Sequence, residues 1–309
     1  MTPSASIRAE ISNRFNRLKV GAHKILSGRG SASRLSSFPF VSGDTFRCLA
    51  DLYIEPGAKM NIVEQRLSRP QNSPTVLFCE VSKIEDLRKL ARDMDLSTVT
   101  VLIHNGDVIP TEAIFDLKDK VNRIFCVNWM GDREVAEPLP IGIENVHWNI
   151  NGRLDDFVHY FPESLDELVS KRRPISCFQS FRIQTNPAER EGVAPIFASL
   201  KDASTCNDKI SRAKFIGSLN RSKFVISPPG NGPDCHRTWE AMYAGAIPVV
   251  LVKSWPFQYI NLPVLAVKNW NEAREILEGD VEALYRKIWR ESDPSQMYFP
   301  AFQYQIWRE

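Results

Sequence analysis

The chain has 309 residues, 43% hydrophobic and 25% charged, with a net charge of +2 at neutral pH. That composition suits a globular protein of one large or two modest domains and gives no case for nucleic-acid binding over the whole chain. Six scattered cysteines (Cys48, Cys79, Cys126, Cys177, Cys206, Cys235) form no CxxC pair and read as buried free thiols, not a disulfide frame or zinc site; no run of about 18 apolar residues or signal-peptide core is present.

Charge is uneven from the start. Residues 1–35 hold seven Lys/Arg and one acid, so this segment is +6 and the remainder is −4. Ile7, Ile11, Phe15, Leu18, Ala22 and Ile25 recur at helical spacing. A basic amphipathic helix of this kind suits an anionic membrane surface, with a helix packed on its own domain as the alternative.

From residue 36 the pattern predicts a short strand, a Gly turn at Gly43 and a helix over 46–53. Strands are expected at 75–81, 98–103 and 124–129, with a helix over 84–94 and a turn at His104-Asn-Gly-Asp. Leu139-Pro-Ile-Gly-Ile-Glu-Asn would carry the chain across a cleft, with Glu144 and Asn145 on its edge. A helix is read over 157–169, a polar break at Lys171-Arg-Arg-Pro, then a strand over 175–181. Short apolar strands alternating with helical patterns predict an α/β fold with parallel sheets. The expected division is a basic segment 1–35, a first domain 36–170, a second domain 171–290 and an aromatic tail 291–309 that docks back on the first.

Residues 222–251 carry most of the chemistry. Phe224-Val-Ile is an apolar run without alternation, as in a strand covered on both faces. Ser227-Pro-Pro-Gly-Asn-Gly-Pro breaks regular structure; residues 234–244 have helical spacing and stop at Gly245, before a second buried strand over 247–252. Ligands in open α/β sheets sit where such loops enter helix N-termini. There free N–H groups and the helix dipole favour an anion, and Arg237 adds a fork of donors suited to a diphosphate. Gly230 and Gly232 let backbone approach a ligand. Asn231, Asp234, His236 and Glu240 complete the polar set, with Glu240 suited to ribose hydroxyls. The bland alternative is an amphipathic helix with a solvated charged face. No Gly-Lys-Ser/Thr follows, so this is not a P-loop.

Ser227 to Ala241, with Gly245-Ala-Ile-Pro-Val-Val, resembles the donor-binding signature of exostosin-like glycosyltransferases. The resemblance is sharp over about thirty residues and looser elsewhere. It implies a GT-B-like fold: two Rossmann-like domains with parallel sheets facing a cleft, the nucleotide sugar held mainly by the second. It also implies that Arg182, Thr185, Asn186 and Arg190 face the donor pyrophosphate beside Ser227, Pro228 and Arg237. Thr185 and Asn186 also read as helix caps, and Arg182 and Arg190 have the alternative of plain surface positions.

The expected reaction is inverting transfer of a hexosyl or pentosyl group from a nucleotide diphosphate sugar to a growing glycan of polysaccharide, capsule or lipopolysaccharide type. UDP is the default over GDP. The acceptor is a glycan or lipid-linked glycan, which would make membrane contact through 1–35 useful at the cytoplasmic face. No cofactor or metal is expected. Inversion needs one base for the acceptor hydroxyl. Asp44, placed after the first expected strand, is the first candidate and Asp107 the second; an ordinary N-cap and a plain Asn-Gly turn are their alternatives. Arg47, His104 and Asn105 would be acceptor-side contacts. Asp93-Met-Asp95 is formally a DxD but is read as ending one helix and preceding another, the wrong context for a metal. Retaining enzymes often pair two glutamates eight residues apart; eight after Glu240 stands Pro248, which favours inversion. The rivals are a nucleotide-sugar epimerase or hydrolase on the same fold, and a non-catalytic glycan-assembly scaffold.

Overall fold

The computed structural model describes residues 34–69, 75–108, 111–148, 151–158, 164–206 and 210–307. The basic segment expected at 1–35 therefore lies outside the described residues except for its last two.

Two five-stranded parallel sheets form the frame, the GT-B-like arrangement. The first runs in simple order through β1 (Leu52–Ile54), β2 (Thr75–Glu80), β3 (Leu96–His104), β4 (Val121–Val127) and β5 (Glu137–Leu139). The second contains β6 (Ile175–Gln179), β7 (Ser204–Thr205), β8 (Ser222–Ile226), β9 (Ile247–Leu251) and β10 (Leu265–Val267), in the order β10-β9-β8-β6-β7. The central strands are buried along their length, which is why their sequences show no polar alternation.

Alternate residues of β2 enter different cores. Leu77 and Cys79 join an outer cluster with Val101, Ile103 and Ile114. Val76 and Phe78 join a larger cluster that runs without a break through Phe40, Phe46, Tyr243 and Trp239 into the second sheet. The two sheets are thus fastened by shared apolar contact, the dominant favourable term in folding. The helix Phe299–Trp307 closes the seam. Its Phe302 ring meets Phe46, Trp239 and Phe257 at 6.1–6.4 Å, and the Phe299 N–H donates to Pro39 O at 3.0 Å.

Several expectations need correction. No strand forms near residues 38–41; Ser42 makes only an isolated bridge to Gly142. The helix expected over 46–53 is the short Gly43–Arg47, capped by the Ser42 hydroxyl, which accepts from the Thr45 N–H at 3.2 Å. Leu52–Ile54, read as its continuation, is β1, because pairing with Leu77–Cys79 hydrogen-bonds both its backbone and its neighbour's. Asp44 therefore precedes the first strand and is not a cap. The single helix over 157–169 is two, Asp155–Val158 and Leu165–Ser170, the second restarted by the Ser164 cap. Asp93-Met-Asp95 joins a helix to β3, not to another helix, and Asp95 caps the Ser97 N–H. Cys48 is exposed and Cys206 half-buried, while the other four thiols are buried. The polar break at 171–174 hides a buried group: Arg173 donates to Leu219 O, Ser222 O and Ala244 O at 2.9–3.3 Å, placing a cation at helix ends rich in free carbonyls. Among the described residues no helix is long and apolar enough to cross a membrane.

Tyr243 stitches the seam with one hydroxyl. It accepts from the Val41 N–H at 3.2 Å and donates to Met297 O at 2.8 Å. Tyr243→Phe strands a buried donor and should lower unfolding free energy by ~1–3 kcal/mol in urea titrations, with the fold intact by circular dichroism. An unchanged midpoint would mean that water replaces the hydroxyl.

Candidate functional site

The loop at 227–233 leaves the carboxyl end of β8 and enters the helix His236–Tyr243. Side chains grip its backbone. Asn186 Nδ2 donates to Gly230 O at 2.8 Å, Arg190 Nε to Pro229 O at 2.7 Å, and Arg237 Nη1 to Pro228 O at 3.4 Å. Ser227 Oγ pairs with Thr238 Oγ1 at 2.8 Å. Gly232 lies against the first half of the molecule: a Cβ there would stand 2.3 Å from Asn128 Nδ2. Pro228 is buried and Asn231 exposed.

Two guanidinium groups flank this loop without a carboxylate partner among the described residues. Arg190 is buried, with Nη1 on Arg182 O at 2.8 Å; Arg237 is half-buried, with Nε on Ser180 O at 3.0 Å. All these partners are neutral carbonyls. Burial pulls both guanidinium groups below their ordinary range; Arg237 also lies in the repulsive field of Arg190, offset by Cys235 and Glu240. Such a pair at a helix N-terminus is suited to an anion. Arg182 and Thr185 are exposed on the adjoining turn. Neither Thr185 nor Asn186 makes the expected side-chain cap, because Asn186 spends its amide on the loop.

Other donor-side candidates are occupied within the protein. Asp234 is 2% exposed and accepts from the Ile141 and Cys235 N–H groups, each at 2.8 Å, and from Trp239 Nε1 at 2.9 Å. It joins the halves and has no face for a ligand, so its assignment to the donor site is corrected. Burial raises its pKa to about 6, against the opposing pull of these donors. Glu240 is also buried, with Oε1 accepting from Arg212 Nη1 at 2.6 Å; Arg212 binds Asp156 as well. His236 donates from Nδ1 to Gly142 O at 2.7 Å, another tie between the halves.

The acceptor side differs more from expectation. Arg47 is buried in a two-pronged pair with Glu55, at 2.8 and 2.7 Å, and stacks over Tyr53; it cannot meet an acceptor. His104 is 2% exposed, with Nε2 on Pro140 O at 3.0 Å and Nδ1 accepting from the Asn105 N–H at 2.7 Å. It too is internal. Asp107 is exposed, and its Oδ2 accepts from Asn231 Nδ2 at 2.8 Å. A cavity of about 290 Å³ opens beside it, lined by Phe115, Asn128, Trp129 and Asn231.

Asp44 stands at the centre of a cluster. Its side chain has no exposed surface; Oδ2 meets His147 Nδ1 at 2.6 Å, and Oδ1 meets Asn105 Nδ2 at 3.4 Å and Arg34 at 3.6 Å. Asn145 Oδ1 accepts the Asp44 N–H at 2.8 Å, and Asn145 Nδ2 donates to Asn105 Oδ1 at 3.0 Å. Glu144 instead closes its own loop on the Asn151 N–H at 2.7 Å. Asn128 and His147 were not singled out in the sequence. A positive φ of 58° at Asn128 follows the end of β4, and nothing local marks His147. Among the described residues no group of three or more His, Cys, Asp or Glu could hold a metal ion.

Residues 150–277, which include the second sheet and the 227–233 loop, match the family model of the Exostosin GT47 domain. No curated protein matches the sequence. Among solved structures, the crystal structure of TarM aligns with a TM-score of 0.41 and 11% identity, over 80% of this chain and 57% of that one. This chain thus spans little more than half of TarM's length.

His104 makes the site pH-sensitive in a defined direction. Burial lowers its pKa from 6.5 to about 4. The unfolded chain takes up the proton first, so stability is full above pH 6.5 and is lost as pH falls towards 4. His104→Gln can still donate to Pro140 O but lacks this slope. Between pH 7 and 4.5 wild type should lose up to about 3 kcal/mol relative to the variant in chemical denaturation. The Asp234 contribution, which runs the opposite way, is common to both and cancels. Parallel pH curves would show that His104 is not held neutral.

Proposed function

We propose that the protein transfers a glycosyl group from a nucleotide diphosphate sugar to a glycan acceptor by a single inverting displacement. The diphosphate would lie between Arg190, Arg237 and the opening of the helix His236–Tyr243. The observation that carries this reading is the pair of guanidinium groups beside a glycine-containing loop, braced by backbone carbonyls and, for Arg190, by the Cys235 thiol, with no carboxylate bonded to either among the described residues. An anion would favour the charged form of both groups against their burial and take up their remaining N–H donors. The Exostosin GT47 match over the same residues supports the sugar-transfer class.

Chemically, the site would stabilise the leaving diphosphate by fixed positive charge and helix-end N–H groups as the anomeric C–O bond breaks. No covalent enzyme intermediate is required, and Pro248 stands where a second glutamate would be expected for retention. These groups act without a metal. UDP is taken as the donor nucleotide, and a glycan or lipid-linked glycan as the acceptor. A cytoplasmic setting against an anionic membrane is part of the same proposal.

Calorimetry tests the donor site without knowledge of the sugar. UDP should bind wild type in excess EDTA. Arg237→Ala should weaken UDP by ~1.5–3 kcal/mol, the range for hydrogen bonds to charged groups, and leave uridine unaffected. Equal UDP affinity in both proteins, or binding abolished by EDTA and restored by manganese, would refute the arrangement.

A further inference from the structure

We propose that His147 is the general base of the transfer and that Asp44 is its positioning residue, an assignment that rests on the donor reading given above. The geometry separates the two roles. The Asp44 side chain is 0% exposed, so no substrate can touch it, whereas that of His147 is 30% exposed. The contact between them is 2.6 Å, from His147 Nδ1 to Asp44 Oδ2.

A carboxylate only accepts, so this contact places a proton on Nδ1. Nε2 is then left with the lone pair, and it has no partner among the described residues. Such a histidine, oriented from behind by a buried acid, is arranged to accept a proton at its outer nitrogen. The acid is itself fixed. Asn145 holds the Asp44 N–H, Asn105 reaches Oδ1, and Asp44 sits in the first turn of the helix Gly43–Arg47. A buried carboxylate needs such partners to stay charged.

Among the described residues, the charged groups around the pair are Arg34, Glu80 and Arg47, the last within the field of Asp44. Arg34 lies 3.6 Å from Asp44 Oδ1 and is shared with Glu80 at 3.7 Å. The neighbouring Trp148 ring is 5.2 Å from the imidazole. The pair also lies close to the donor helix. Gly142, on the same segment as His147, receives the His236 hydrogen bond, and the His104 ring lies within the fields of both His236 and Asp44.

In the step itself, the acceptor oxygen forms a bond to the anomeric carbon while its proton passes to His147 Nε2. The bond from that carbon to the diphosphate oxygen breaks, and the nucleoside diphosphate leaves with the electron pair. The imidazolium is stabilised by Asp44 until the proton passes to water. Asp107 is the competing base, but its Oδ2 is engaged by Asn231.

Two measurements on the full chain test this. Long-range proton–nitrogen NMR at pH 8, with the His147 signal assigned by its loss in His147→Gln, should find the Nδ1–H tautomer; Asp44→Asn should shift it towards Nε2–H. An Nε2–H ring in wild type overturns the proposal. The second measurement is nucleoside diphosphate release from UDP-glucose, UDP-N-acetylglucosamine and UDP-glucuronate, with water as acceptor. His147→Gln should lower kcat by ~10²–10⁴ with unchanged UDP affinity and thermal midpoint. Asp44→Asn should lower kcat less, in step with its shift of the His147 tautomer. A merely structural Asp44 would leave the tautomer in place. Normal turnover in His147→Gln, or its loss in Asp107→Asn alone, removes His147 from the role and leaves the donor reading standing. Absence of UDP binding in wild type would overturn the donor reading, and the base with it.

Discussion

One buried carboxylate fixes how the two halves meet. Asp234 stands between the 227–233 loop and the helix His236–Tyr243 and reaches across the seam to the Ile141 N–H, while its other bonds go to Cys235 and Trp239. Three donors, two of them backbone, surround a group that burial alone would neutralise. Its neighbours repeat the arrangement: Asn128 accepts the Asp234 N–H at 3.1 Å, His236 donates to Gly142 O, and Gly232 has no room for a side chain beside Asn128. The start of the helix His236–Tyr243 is therefore positioned by the first half of the chain as much as by the second. The segment that follows Gly142, which carries His147, inherits its placement from the same contacts.

This coupling sets what kind of motion the molecule can use. The apolar cluster is continuous from β2 through Phe46 and Trp239 to Phe257 and Phe302. Opening the seam widely would expose large aromatic rings, at roughly 25 cal/mol for each Å² of apolar surface. Admission of a ligand is more economically served by side chains at the rim, where Arg182, Asn231 and His147 are exposed.

What the sequence made legible follows from where the determining contacts lie. Strand β8, the 227–233 loop and the helix after it were readable because the signals are local: an unbroken apolar run, Pro and Gly punctuation, and helical spacing that ends at Gly245, which has a φ of +77°. Strand β1 was not, because Leu52–Ile54 has the same local pattern as the end of an apolar helix and becomes a strand only beside Leu77–Cys79. Polar residues were the hardest. Arg47 and His104 looked like cleft groups, yet their partners, Glu55 and Pro140 O, turn them inward. Arg190 was read as a donor contact or a surface position; the structure buries it as a brace for the loop, with its anion-binding role still a proposal. The tie between Asp44 and His147 spans 103 positions and leaves no trace in spacing.

A carboxylate that must touch substrate has to keep exposed surface, whereas one that must hold a neighbouring base is better buried, where water does not screen the interaction. Asp44 and Asp107 divide along this line. Asp107 is exposed, at a cavity between the halves; Asp44 is enclosed, with one oxygen on the His147 ring and the other towards Asn105 and Arg34. Burial thus separates the two acids that the sequence offered as first and second candidates, and it points past Asp44 to the imidazole it holds.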